Sequence, residues 1–115
     1  MREHAQDVDI SPGDVRARHG RGEIQLIDVR EDYEHAAGRI AGGRHVAVAL
    51  LAAQAETIER DRPVVFYCRV GARSAMAAQA FRRAGYDAYT MDGGLEAWSG
   101  DGRPLEPADG TIADH

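Results

Sequence analysis

Short apolar runs alternate with longer amphipathic stretches along this chain, and that alternation constrains the fold more than any other feature. The clearest run is Val64-Val65-Phe66-Tyr67, whose four consecutive apolar residues are typical of a strand buried on both faces. Similar patterns predict strands over 8–10, 24–29, 44–48 and 87–91, and helices over 13–18, 31–37, 50–60, 74–84 and 93–98. Strands that alternate with helices favour an α/β fold, in which a parallel sheet carries helices on both faces.

A length of 115 residues suits one domain. Gly, Pro and Asp dominate from Gly100 onward, a composition typical of loosely held chain. We therefore predict a loose N-terminus over 1–6, a folded domain over 7–104 and a flexible tail over 105–115. Apolar residues make up 43% and charged residues 29%, values that exclude a chain disordered throughout.

Charge and residue counts exclude several classes of function. The chain carries 14 basic and 19 acidic residues without a basic stripe, which argues against a nucleic-acid partner. No apolar run approaches the roughly 20 residues that a membrane-spanning helix needs, and the first residues lack the apolar stretch of a secretory signal. We expect a cytoplasmic protein with no membrane partner. One cysteine and five histidines without paired metal-ligand spacing predict no metal site and no cofactor.

The single cysteine, Cys68, lies where the buried strand ends and a helix begins, and the chemistry of that junction suits an anion. Successive N–H groups of such a loop can form an anion-binding nest, and the helix N-terminus adds positive potential. Arg69 and Arg73 add two formal charges, and each of these effects favours the thiolate, the nucleophilic form of cysteine. Gly71 permits a backbone conformation that a side chain would resist. The candidate binding loop comprises Arg69, Val70, Gly71, Ala72, Arg73 and Ser74.

The alternative interpretation is that a lone cysteine after a strand is a small buried hydrophobic residue. Two arginines and a glycine within five residues favour the reactive interpretation, with Ser74 placed to cap the helix or to donate a hydrogen bond to the sulfur. The hypothesis fails if Cys68 is walled off from solvent and the loop N–H groups point outward.

Asp28 and Arg30 end the second predicted strand and are expected near the same edge of the sheet. Asp28 is placed to orient an arginine of the Cys68 loop through a charge-assisted hydrogen bond. The alternative, which we favour for Arg30, is a structural pair that holds two loops together. Both are therefore candidate supporting residues.

Five motifs follow one another along the chain: Leu26-Ile27-Asp28-Val29-Arg30-Glu31, Tyr33-Glu34, Ala37-Gly38-Arg39-Ile40-Ala41-Gly42, Val65-Phe66-Tyr67-Cys68-Arg69-Val70-Gly71-Ala72-Arg73-Ser74 and Gly93-Gly94-Leu95-Glu96-Ala97-Trp98. In these motifs the chain resembles the rhodanese family of sulfurtransferases, from about Asp9 to Pro104. The resemblance implies a five-stranded parallel sheet flanked by helices and a persulfide on Cys68. It also implies a small anionic sulfur donor, such as thiosulfate, and an acceptor that is cyanide, a small-molecule thiol or a protein thiol.

Two positions depart from the family pattern, because Arg39 and Ala41 stand where the family usually has His and Pro. Related cysteine-based phosphatases place five residues between Cys and Arg, whereas four separate Cys68 from Arg73, so the smaller ring argues against phosphatase chemistry. Two further alternatives stay open at this point: a sulfur relay to a partner protein, and a non-enzymatic binding module.

Overall fold

The computed structural model describes residues 8–115, so the predicted loose N-terminus over 1–6 lies outside the described residues. Within that range the strands are β1 (Asp9–Ile10), β2 (Gln25–Asp28), β3 (Arg44–His45), β4 (Val64–Tyr67) and β5 (Ala88–Met91). The helices are α1 (Pro12–Gly20), α2 (Asp32–Ala37), α3 (Leu51–Gln54), α4 (Ala72–Arg83) and α5 (Gly94–Gly100). Short 3-10 helices, Val48–Leu50 and Ala55–Thr57, flank α3.

The strands form one parallel sheet in the order β1-β5-β4-β2-β3. This confirms the predicted α/β fold with five parallel strands. The two neighbouring strands β2 and β4 are paired with Asp28 opposite Tyr67, so they end at the same level. Ligands of open parallel sheets collect outside these carboxyl ends. The register therefore brings the residues after Asp28 and the residues after Tyr67 to one edge of the molecule.

Two apolar clusters cover the two faces of the sheet, because successive side chains of a strand point to opposite sides. In β4, Phe66 belongs to one cluster and Tyr67 to the other, and Cys68 returns to the side of Phe66. Helix α4 packs on the Cys68 side through Ala77, Ala78 and Phe81. On the Tyr67 side lie Val15 of α1 and Leu95 and Trp98 of α5.

The predicted helix over 50–60 is wrong in length, since α3 spans only Leu51–Gln54 between two 3-10 helices. The Thr57 hydroxyl donates to the Gln54 carbonyl at 2.6 Å and so competes with helical bonding. Ile58 is extended and buried, which turns the chain into the core. The predicted strand over 44–48 is also shorter: β3 is Arg44–His45, although Val46 N–H still donates to the Asp28 carbonyl at 3.0 Å.

The segment 105–115 has specific contacts with the domain. Leu105 and Ile112 pack against the cluster that contains Trp98. Arg39 and Glu106 form an antiparallel bridge, with amide-to-carbonyl distances of 3.0 and 2.7 Å. Arg39, at the position of the usual family histidine, thus holds this segment through its backbone. The predicted flexibility of the tail stays a prediction. Among the described residues no helix is long and apolar enough to cross a membrane.

Candidate active site around Cys68

Cys68 lies directly after β4, and its side chain faces the cluster under α4 with 1% exposure. The Gly71 N–H donates to the sulfur at 3.1 Å, and the Ser74 hydroxyl lies 3.4 Å from the same sulfur. Burial of the sulfur meets one of the two conditions that together would reject the hypothesis. The other condition, loop amides that point outward, is not met by the Gly71 amide, which points to the sulfur.

Two glycines shape the loop around the sulfur. Gly71 caps α4 with φ +113°, a left-handed conformation that other residues resist. The first turn of a helix leaves its N–H groups without helical partners, so the amides of Ala72, Arg73 and Ser74 are available next to Cys68. A side chain at Gly71 would therefore strain the turn that aims these donors.

The second glycine lets α5 approach the back of the loop. A Cβ at Gly94 would lie 2.5 Å from the Arg69 carbonyl oxygen, and φ there is +64°. The amides of Leu95 and Glu96 donate to the carbonyls of Cys68 and Arg69 at 2.8 and 3.0 Å. Because the C=O and N–H of a trans peptide point in opposite directions, these bonds turn the next two loop amides away from α5.

Arg73 is held by Glu34 rather than by the sulfur. Its two terminal nitrogens donate to the two oxygens of this fully buried carboxylate at 2.9 and 3.0 Å. Burial opposes ionisation of Glu34, but hydrogen bonds from Arg73 and from the Glu31 amide outweigh it and leave its pKa below the usual value. The same pairing raises the pKa of Arg73. The bidentate geometry fixes the helical end of the loop to α2.

Arg69 also faces acidic side chains. Its Nε lies 2.9 Å from Glu96 and its Nη2 lies 3.5 Å from Asp114, whose side chain is 98% exposed. Each arginine that we expected to favour the thiolate thus pairs with an acidic neighbour, and Arg73 also keeps an electrostatic interaction with Cys68. The described hydrogen-bond partners of the sulfur are the Gly71 amide, which donates to it, and the Ser74 hydroxyl, which can donate or accept; neither carries a formal charge.

Asp28 and Arg30 form a separate buried pair at the end of β2. Two bonds, of 2.8 and 2.6 Å, join the guanidinium to the carboxylate, and both side chains are fully buried. Arg30 also donates to the Gly38 carbonyl at 2.7 Å, and His35 lies 2.8 Å from Asp28. The described partners of Asp28 thus include Arg30 and His35, and the structural pair that we favoured for Arg30 is present. A contact of Asp28 with an arginine of the Cys68 loop stays a prediction.

Comparison with known proteins identifies the family of this arrangement. A family model described as the rhodanese-like domain matches residues 11–101. The chain belongs to the rhodanese-like domain family.

Three similar proteins show how far this likeness extends. Thiosulfate sulfurtransferase GlpE of Pseudomonas aeruginosa is 36% identical over 101 residues, 87% of each chain. The uncharacterized protein YqhL of Bacillus subtilis is 39% identical over 84 residues, 72% of this chain and 67% of its own. A rhodanese-related protein from Thermoplasma volcanium superposes with a TM-score of 0.78 and 27% identity, covering 84% of this chain and 95% of the other. The family and the GlpE name support sulfurtransferase activity as a reaction class.

Glu34 and Gly94 of this rhodanese-like domain were not predicted as site residues, although both lie in motifs that carry the family resemblance. A signal for Glu34 exists in the spacing Glu31…Glu34, a capping box that the structure confirms at the start of α2. That signal locates a helix start but not the carboxylate's second partner, Arg73. Residues 39 positions apart meet only because β2 and β4 are neighbours.

Proposed function

We propose that this rhodanese-like domain is a sulfurtransferase that carries a sulfane sulfur on Cys68 as a persulfide. The observation that carries the proposal is the Gly71 N–H donating to the Cys68 sulfur at 3.1 Å, beside the first turn of α4. A group of neutral donors at a helix N-terminus stabilises an anionic sulfur in both its thiolate and its persulfide form.

The reaction consists of two displacements at sulfur. The Cys68 thiolate attacks the outer sulfur of thiosulfate, an S–S bond forms, and the S–S bond of the donor breaks as sulfite leaves with the electron pair. A nucleophilic acceptor, cyanide or a thiolate, then attacks the outer persulfide sulfur, and the Cys68 thiolate leaves. Covalent catalysis of this kind splits one transfer into two half-reactions and predicts ping-pong kinetics.

The burial of Cys68 sets a condition on this chemistry. With the side chain 1% exposed, donor and acceptor reach the sulfur when the loop after Cys68 shifts outward. Loops generally open at lower free-energy cost than the strands that support them. Here the opening also has to break or accommodate the Arg73–Glu34 pair and the bonds from the amides of Leu95 and Glu96. The proposal therefore requires the loop after Cys68 to move while strand β4 keeps its position.

A protein thiol is the acceptor that the rim of the site favours. Val70, within the loop, is 52% exposed, and Met76 on α4 is 73% exposed. Contiguous exposed apolar surface is typical of sites that contact another protein, and Val70 supplies such a side chain within the loop itself. A partner-protein relay is therefore the form of the sulfurtransferase proposal that we prefer.

Mass spectrometry tests the proposal directly. After incubation with thiosulfate, the protein is expected to gain one sulfur atom, located on the peptide that contains Cys68, and to lose it on addition of cyanide or a thiol. Cys68→Ser is the matched control and should gain none. Absence of the gain in the native chain overturns the proposal, and a Cys68→Ser variant that keeps the cellular role indicates a binding module instead.

A further inference from the structure

A second hydroxyl lies behind Ser74, outside the loop. Thr90 in β5 is 2% exposed, and its Oγ1 lies 2.6 Å from the Oγ of Ser74, itself fully buried. Ser74 Oγ in turn lies 3.4 Å from the Cys68 sulfur. Two buried hydroxyls thus form a chain that starts in the central sheet and ends at the reactive sulfur.

Counting hydrogens gives this chain a direction. The distance between Thr90 Oγ1 and Ser74 Oγ allows either atom to donate. Ser74 has a single hydroxyl hydrogen, and when it points to the Gly71 carbonyl or to the sulfur, the Ser74 oxygen accepts from Thr90. The Ser74 hydrogen then has two acceptors within reach, the Gly71 carbonyl at 3.2 Å and the Cys68 sulfur. The Gly71 carbonyl has a second lone pair beside the one that accepts from the Ala75 amide at 3.0 Å, so it stays an acceptor. An anionic sulfur competes with it because a hydrogen bond to a charged acceptor is stronger than one to a neutral carbonyl.

We infer that Thr90 is a positioning residue for sulfur transfer: its hydroxyl occupies a lone pair of Ser74 and directs the Ser74 hydrogen to the Cys68 sulfur. The inference rests on the proposed function, since it concerns the anionic state of that sulfur. It also implies that the central sheet, through Thr90 of β5, helps to orient a hydrogen-bond donor at the sulfur. Thr90 is held in β5, with its amide donating to the Val8 carbonyl at 2.7 Å, so the donor chain is anchored in the central sheet.

The test measures the pH dependence of alkylation of Cys68 by iodoacetamide in the full chain, a readout that needs no sulfur transfer. Thr90→Val keeps the branched shape and removes the hydroxyl. We expect its alkylation profile to shift to higher pH, with a rate about threefold lower on the acidic side and equal to the native rate at high pH. Thr90→Ser should restore the native profile. Thr111→Val, the same change at an exposed threonine, should leave the profile unchanged.

A double-mutant cycle separates positioning from a structural effect. Ser74→Ala removes the link, so Thr90→Val should cause no further shift in the Ser74→Ala background. An equal shift in both backgrounds, or a rate lowered by one factor at every pH, overturns the inference. Should Thr90→Val not fold, Thr90→Ala removes the same hydroxyl and is judged by the same profile. If the variants shift the profile while thiosulfate adds no sulfur to the native chain, the hydroxyl chain stands and the proposed function fails.

Discussion

The ends of β2 and β4 lie side by side at one edge of the sheet but stabilise charge in opposite ways. After β2, Arg30 and Asp28 neutralise each other in a bidentate pair without solvent contact. After β4, the sulfur of Cys68 has an amide and a hydroxyl as its described hydrogen-bond partners, both without formal charge. The first arrangement holds two permanent charges in place. The second leaves room for a charge that appears and disappears during a reaction.

This difference indicates why one pair of residues is structural and the other position is a candidate nucleophile. Breaking a buried pair is costly, because it leaves a charge without its counter-charge away from solvent. The pair is not saturated with hydrogen bonds, since the Nη1 of Arg30 is buried without a hydrogen-bond partner among the described residues. Dipoles that are fixed around an unpaired sulfur stabilise negative charge without forming a salt bridge that must later break. Polar residues at the carboxyl end of a strand thus fall into two groups: residues that stabilise the fold there, such as Asp28 and Arg30, and candidates for the reaction, such as Cys68.

The largest effect on stability should come from breaking the β2 pair. Asp28→Asn leaves the buried Arg30 guanidinium without its counter-charge, and we expect the free energy of unfolding to fall by about 3–5 kcal/mol. Chemical denaturation followed by Trp98 fluorescence measures it. Asp114→Asn, which removes a 98% exposed partner of Arg69, is the matched control and should change stability by less than about 0.5 kcal/mol. An equal fall in the free energy of unfolding in Asp28→Asn and Asp114→Asn would show that the buried pair after β2 is no more important for stability than an exposed ion pair.

Features of the two strand ends can be predicted from the sequence when the residues that form them are close together along the chain. The strand 64–67, the α/β order and the Cys68 loop follow from local patterns of apolar residues, glycine and charge. The partners of the two loop arginines do not, because Glu34 and Glu96 are separated from them by 39 and 27 positions and are brought close only by the sheet order. Ser74 was expected near the sulfur, whereas Thr90 becomes part of the site only through the position of β5 beside β4.

A smaller loss of stability is expected from breaking the Glu34–Arg73 pair, which joins the segment after β2 to the loop after β4. Glu34→Gln removes the charge that holds Arg73 and replaces one accepting oxygen with a donor, so we expect a loss of about 1–3 kcal/mol in stability. The persulfide-forming rate should fall as well, because the first turn of α4 loses its anchor. Glu96→Gln, which removes a half-exposed partner of Arg69, is the control, with a change of about 0–1 kcal/mol. A Glu34→Gln variant that is as stable as the control and forms the persulfide as fast as the native chain would show that the Arg73 pair does not position the loop.

Low pH should destabilise the protein at the ends of both strands, β2 and β4, because each depends on a buried carboxylate. Burial opposes ionisation of Asp28, but its bonds to Arg30 and His35 lower its pKa below the usual value, and the pKa of Glu34 is lowered as well. A depressed folded-state pKa stabilises the protein above the unfolded pKa of about 4, and this contribution is lost as the pH falls through the folded value. Stability should therefore decrease below about pH 4, and less steeply in Asp28→Asn than in the native chain. Parallel acid limbs for the two proteins would exclude Asp28 as a source of the decrease.

The smallest expected effect concerns attraction of the anionic donor, and it follows from the pairing of the loop arginines. Salt should lower kcat/KM for thiosulfate only about twofold, since Arg69 faces Glu96 and Arg73 faces Glu34. Removing the acidic partner in Glu96→Gln exposes the charge of Arg69 and should enlarge the salt dependence, whereas Arg69→Gln should reduce it below the native value. The formal net charge of −5 opposes the arginines, so a rate that rises with salt in the native chain would mean that the charge of the whole molecule, rather than the loop, governs the approach of the donor.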